Sequence, residues 1–186
     1  MDKVAIITDS TGYIPKDLVD KYHLTVIPQV LIWEEKTYLD GVDIQPREFY
    51  NRLKNARVMP TTSQATIGSF RKNFSHLLDE GCQILAILVS DKLSGTIDSA
   101  IQARDMLPEA PIEIINSNTI AMALGFYALA VARAAKEGAS LSECKDLAEK
   151  AVDHTGVIFA VDTLEFLHRG GRIGGASRFL GTALKL

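Results

Sequence analysis

The stretch Gln83-Ile84-Leu85-Ala86-Ile87-Leu88-Val89-Ser90-Asp91-Lys92-Leu93-Ser94-Gly95-Thr96 decides the fold. After Gln83 the residues run apolar without interruption to Val89, in a segment too short for a typical helix. Such a run reads as a strand buried on both faces. A loop of hydroxyls and one glycine stops it. A helix is expected to follow, to about Leu107, closed by Pro108 and Pro111. The same grammar recurs outward in both directions. Residues 4–8 form an apolar, β-branched run broken by Asp9-Ser10-Thr11-Gly12, and Pro15 opens a helix to about Tyr22. Residues 112–115 form another strand, closed by Asn116-Ser117-Asn118-Thr119, with helices expected over 120–136 and 142–153. Residues 25–33 read as one long or broken strand interrupted at Pro28. Pro46 starts a helix to about Asn55, residues 59–64 read as a loop, and a helix runs from about Thr66 to Glu80. A further strand is expected at 156–161. Strands alternating with helices predict an α/β fold: a parallel sheet in a three-layer domain, helices on both faces.

The 186 residues suffice for one well-buried domain and part of another. At 47% hydrophobic and 23% charged, the composition is that of an ordinary globular protein. A net charge of −3 gives no reason to expect nucleic acid as a partner. The N-terminus lacks the pattern of a signal peptide. The longest apolar run, 120–132, is shorter than the roughly 20 residues of a membrane span, so no stable membrane insertion is expected. Cys82 and Cys144 have no metal-ligand or disulfide spacing, and predict reduced thiols in a cytoplasmic protein.

Beyond Val161 the character changes. A short helical stretch at 164–167 precedes Arg169-Gly170-Gly171-Arg172-Ile173-Gly174-Gly175, and residues 168–186 hold Arg169, Arg172, Arg178 and Lys185 with no acid. The expected division is an N-terminal domain at 1–155 and the incomplete beginning of a second α/β domain at 156–186. A short tail packed on the first domain is the alternative.

In open α/β sheets ligands bind beyond the carboxyl ends of the strands. Three strands here end in polar loops, at Asp9-Ser10-Thr11, at 90–96 and at 116–119, and the Thr61-Thr62-Ser63 segment stands before a helix. Short hydroxyls and the free N–H groups of helix N-termini make an anion site without Lys or Arg. The same residues are good helix caps, and one hydroxyl can serve both purposes. Neither G-x-x-x-x-G-K-[ST] nor G-x-G-x-x-G is present, which favours a carboxylate over a phosphate ester. The nearly all-apolar helix at 120–135 reads as a core helix whose small residues let neighbours approach or leave room for a hydrocarbon chain. His23, His76, His154 and His168 have no evident nucleophile partner, so no catalytic set is expected. Asp9, Asp40 and Asp43 could ligate a metal, but Asp40-Gly41-Val42-Asp43 reads better as a turn, and no metal is expected. The 169–175 segment could be a phosphate nest or a tight turn with solvated arginines.

Six pieces in order, Thr8-Asp9-Ser10-Thr11, Val26-Ile27-Pro28, Asp40-Gly41-Val42-Asp43-Ile44, Thr62-Ser63-Gln64, Leu93-Ser94-Gly95-Thr96 and Gly170-Gly171-Arg172-Ile173, give the chain a resemblance to the DegV family of bacterial lipid-binding proteins. The resemblance implies a two-domain α/β protein with a fatty acid between the domains, its carboxylate on the hydroxyls at Thr62 and Ser94. It also implies a carrier without catalysis, which presents the long-chain fatty acid to a separate fatty-acid kinase for acyl-phosphate formation, Arg172 serving that partner reaction. Asn116-Ser117 stands where the family usually has Asp-Ser, and Ala65 where it usually has Pro. Neither change removes a donor hydroxyl. Family members are longer, so most of the C-terminal domain, with a histidine that helps at the carboxylate, is expected to be lacking.

The expected carboxylate site is therefore Thr62, Ser63, Ser94, Gly95 and Thr96, with Ser10 and Ser117 as neighbours, and Arg172 and Arg169 facing the kinase or an incoming phosphate. No cofactor is expected besides the fatty acid as ligand. Two rival expectations are an enzyme acting on a phosphorylated small molecule and a protein-docking module working through 169–185.

Overall fold

A computed structural model describes residues 3–174. In chain order the elements are β1 (Lys3–Asp9), α1 (Lys16–Tyr22), β2 (Thr25–Ile27), β3 (Val30–Trp33), β4 (Lys36–Leu39), α2 (Pro46–Leu53), β5 (Thr61–Ser63), α3 (Ile67–Asp79), β6 (Cys82–Leu88), α4 (Thr96–Asp105), β7 (Ile112–Asn116), α5 (Ala121–Lys136), α6 (Leu141–His154) and α7 (Glu165–Arg169). The chain divides into two compact units, Met1–Gly156 and Val157–Leu186.

The first unit is built on a parallel sheet of order β2-β1-β6-β7. Its strands show why their sequences are apolar throughout. In β6, Leu85 and Ile87 join the core beneath α5 and α6, packing with Leu124, Tyr127 and Cys144. The alternate residues Ile84, Ala86 and Leu88 face Phe70 and Phe74 of α3 and Ala100 and Ala103 of α4. A strand with two buried faces has no polar side to show. This is the expected three-layer architecture.

One expectation is sharpened and two are corrected. Residues 25–33 are the broken strand, not the long one, and its two parts, β2 and β3, belong to different sheets. Pro28 has no N–H for a ladder, and the chain crosses between sheets at Pro28-Gln29. There β3 becomes the centre of a small antiparallel sheet, β4-β3-β5, over a core of Leu31, Trp33 and Ile44. Residues 59–64 are not all loop, since Thr61–Ser63 pair with β3 as β5. Both outer strands are short and mostly exposed, so they lack the apolar pattern that marks a strand. Residues 156–161 form no strand, having no ladder partner among the described residues. A strand is defined by its neighbour, which local pattern does not supply.

α5 is buried along most of its length, but Phe126 is 61% exposed, so the helix is not enclosed on every side. Its small residues serve close approach. A Cβ at Gly125 would stand 2.8 Å from the carbonyl oxygen of Gly12, in the 3-10 turn Ser10–Gly12 that leaves β1. The turn itself is organised by Asp9. One carboxylate oxygen accepts the backbone N–H and the hydroxyl of Thr11, at 3.0 and 2.6 Å. The other accepts the N–H of Val89 at 2.8 Å, tying the end of β1 to the end of β6.

Two outcomes follow from this packing. Gly125→Val forces α5 off the turn and lowers stability by about 1–3 kcal/mol, read from the urea midpoint at constant m. Asp9→Ala leaves the buried Val89 N–H without an acceptor and costs about 1–3 kcal/mol, with faster hydrogen exchange at Val89.

Candidate functional site

Because β1, β6 and β7 are parallel, their polar exits open on one edge of the sheet. Two of the loops are stitched together. The N–H of Ser90 donates to the carbonyl of Thr119 at 2.9 Å, and that of Ser117 to the carbonyl of Leu88 at 3.0 Å. Ser117 is buried, and its hydroxyl closes the turn, donating to the Thr119 carbonyl and accepting the Thr119 N–H. Ser10 is spent in a similar way. Its hydroxyl donates to Asp40 at 2.7 Å and accepts the N–H of Gln29 at 3.0 Å. Ser10 and Ser117 therefore frame the site from inside the fold.

Ser94 differs from both. It is half-buried, and its hydroxyl meets that of Thr96 at 2.8 Å. Thr96 is fully buried and stands at the first position of α4. The N-cap of α4 is Gly95, which has no side chain to cap the first turn. Those N–H groups carry the positive end of the helix dipole without a side-chain acceptor. A Cβ at Gly95 would stand 3.2 Å from Nε2 of Gln64, so the segment after β5 lies against the start of α4. Thr62 and Ser63 precede it on exposed β5, paired with Leu31 and Val30. The structure thus joins Ser94, Gly95 and Thr96 directly, and brings up the Thr62-Ser63 strand through Gln64.

The residue that sequence reasoning missed is Gln29, only 9% exposed. Its Nε2 donates to the Thr96 hydroxyl at 3.0 Å, and its Oε1 accepts the N–H of Ala65 at 3.1 Å. A lone amide between Pro28 and the apolar Val30-Leu31-Ile32-Trp33 was the available signal. A polar residue buried in such a run must be hydrogen-bonded to persist.

On the other side of Ser10 lies a groove of about 350 Å³, lined by Tyr13, Ile14, Val19, Val26, Pro28 and Asp40 among others. Burial pushes the Asp40 carboxyl above its ordinary range, the Ser10 hydroxyl pulls it back, and the charge of Asp9 adds to the rise. The aspartates considered as a metal set have separate tasks: Asp9 and Asp40 as above, and Asp43 accepts the N–H of Leu39 at 2.8 Å within a turn whose Gly41 has φ 76°. Among the described residues no group of His, Cys, Asp and Glu is arranged to hold a metal. Cys82 and Cys144 are buried and unbridged. No helix of the described residues is long and apolar enough to cross a membrane.

Arg169 and Arg172 belong to the second unit. Arg169 pairs with Glu165 one turn earlier at 2.6 Å, and Arg172 donates to the carbonyl of Gly170 at 2.6 Å. Gly171 and Gly174, with φ 72° and 53°, give this segment its left-handed turns. Gly175, Arg178 and Lys185 lie outside the described residues.

Residues 3–186 match the family model described as an uncharacterised protein of the DegV family. A DegV domain-containing protein of Caldanaerobacter subterraneus is 38% identical over 100% of this chain and 66% of its own length. One of Clostridium perfringens is 37% identical, over 98% of this chain and 66% of its own. The chain thus spans just under two thirds of these relatives. Among solved structures, a DegV family protein from Thermus thermophilus, described for its fatty-acid binding, superposes with a TM-score of 0.89 at 34% identity, covering 99% of this chain and 65% of that one. DegV of Bacillus subtilis, described as a fatty-acid-binding protein, superposes at 0.85 with 32% identity, covering 97% and 64%. With a matching family model over nearly its full length and the same fold in these relatives, the chain belongs to the DegV family.

Proposed function

We propose that this chain binds a long-chain fatty acid by its carboxylate and presents it to a separate fatty-acid kinase, working in the cytoplasm as a carrier without catalysis of its own. The observation that carries the reading is the half-buried Ser94 hydroxyl beside a helix start that no side chain caps. A carboxylate needs several converging donors, and such a start supplies them at little desolvation cost. The proposed donors are the hydroxyls of Ser94 and Thr62, with Ser63 beside them and the N–H groups of Gly95 and Thr96 behind. Ser10 and Ser117 hold the surrounding loops in place through their internal bonds. The reading takes its ligand class from the Thermus thermophilus and Bacillus subtilis relatives, both described by fatty-acid binding.

In this proposal the turn at Arg169-Gly170-Gly171-Arg172, in the second unit, is the face toward the kinase and the incoming phosphate. The reading as an enzyme on a phosphorylated substrate draws less support, because the relatives with solved structures are described by fatty-acid binding.

Native mass spectrometry of the purified protein, before and after incubation with palmitate, tests the reading. A bound long-chain acid is expected, and its absence in both samples overturns it. Ser94→Ala weakens palmitate binding by about 1–3 kcal/mol, measured by displacement of a fluorescent fatty acid. Unchanged affinity removes Ser94 from the site.

A further inference from the structure

The Gln29 amide meets the Thr96 hydroxyl, which in turn meets that of Ser94. The backbone N–H of Ala65 can only donate, so the Gln29 atom it meets at 3.1 Å must be the oxygen. That fixes the amide, and its nitrogen must then be the atom 3.0 Å from the Thr96 hydroxyl, which accepts from it. Thr96 has one hydrogen left to give. It has two possible acceptors, Ser94 Oγ at 2.8 Å and Gln29 Oε1 at 3.2 Å. The serine is nearer, and the amide oxygen shares itself with Ala65. With the nearer acceptor taken, Ser94 receives a hydrogen from inside and keeps its own for the outside.

We infer that Gln29 is a positioning residue that sets a one-way hydrogen-bond relay, Gln29 to Thr96 to Ser94, and so makes the mouth of the site a donor that selects ligands ending in an acceptor. The inference rests on the fatty-acid reading above and deepens it by giving the site its selectivity: ionised acids and neutral acceptors are taken, and groups that bring only a donor are refused. Gln29 is buried and spends both ends of its amide inside the fold, so it acts through Thr96. Its placement is itself held, because its backbone N–H donates to Ser10, whose hydroxyl is committed to Asp40.

The test is Gln29→Glu, which keeps shape and still accepts from Ala65. In its ionised form the new carboxylate cannot donate to Thr96. Thr96 then gives its hydrogen to that carboxylate and takes one from Ser94, which reverses the relay. Three probes of equal length separate the possibilities: palmitate, a long-chain methyl ketone as a neutral acceptor, and a long-chain alcohol able to donate. Gln29→Glu is expected to weaken palmitate and the ketone by about tenfold or more and leave the alcohol within about twofold. Weakening of palmitate alone reports charge repulsion and overturns the relay. Equal weakening of all three reports structural damage and overturns it, as does no change. Should the wild type bind none of the probes, the fatty-acid reading fails by itself, and the relay is judged without ligand by NMR. Slow exchange of the Gln29 side-chain amide hydrogens, abolished in Thr96→Val, upholds it. Fast exchange in the wild type overturns it.

Discussion

Parallel pairing of β1 with β6 is the constraint on which the rest depends. It runs from Lys3 opposite Cys82 to Ile7 opposite Ala86, and places the exits of both strands on the same edge of the sheet. A carboxylate then locks the exits together, since Asp9 accepts from the first residue after β6 as well as from its own loop. With that edge held, β7 and its loop add on by backbone bonds and by Ile112 and Ile115 in the two cores. The hydroxyl loops meet because the sheet gives them nowhere else to go.

The main sheet could be read from residues because burial on both faces leaves a plain mark. Gln83 is followed by nothing but apolar side chains until the loop, and β1 carries the same mark before Asp9. Helix starts were marked by Pro15 and Pro46, whereas the Ser140–Glu143 capping box of α6 emerged only in the structure. The small antiparallel sheet left no such mark. β4 and β5 cover little, and their identity comes from pairing with β3, a long-range fact that local pattern does not carry. The site divides along the same line. Residues 90–96 could be read as one of several hydroxyl loops opening helices, and the family resemblance pointed within it to Ser94. Gln29 could not, because its importance lies in partners far along the chain, Ala65 and Thr96.

Gln29 also explains how two sheets of different kind behave as one unit. It sits at the crossing from β2 to β3, where proline has already removed a ladder bond. Its backbone is fastened to the β1 exit and its side chain to the starts of α3 and α4. A buried amide that satisfies several elements is costly to disturb, since each loses a partner with it.

The small sheet keeps a separate core around Trp33, the one tryptophan in the chain. Its indole N–H donates to the carbonyl of Val58 at 3.0 Å, Phe49 meets it edge-on at 5.3 Å, and the guanidinium of Arg52 lies 4.1 Å from its ring centre. Intrinsic tryptophan emission therefore watches the small sheet and is blind to the aliphatic layers around β1 and β6. Circular dichroism, dominated by the helices, watches the reverse. Denaturation followed by both signals on one sample asks whether the flank carrying Thr62 melts with the body of the protein or ahead of it, with no label attached and no residue changed.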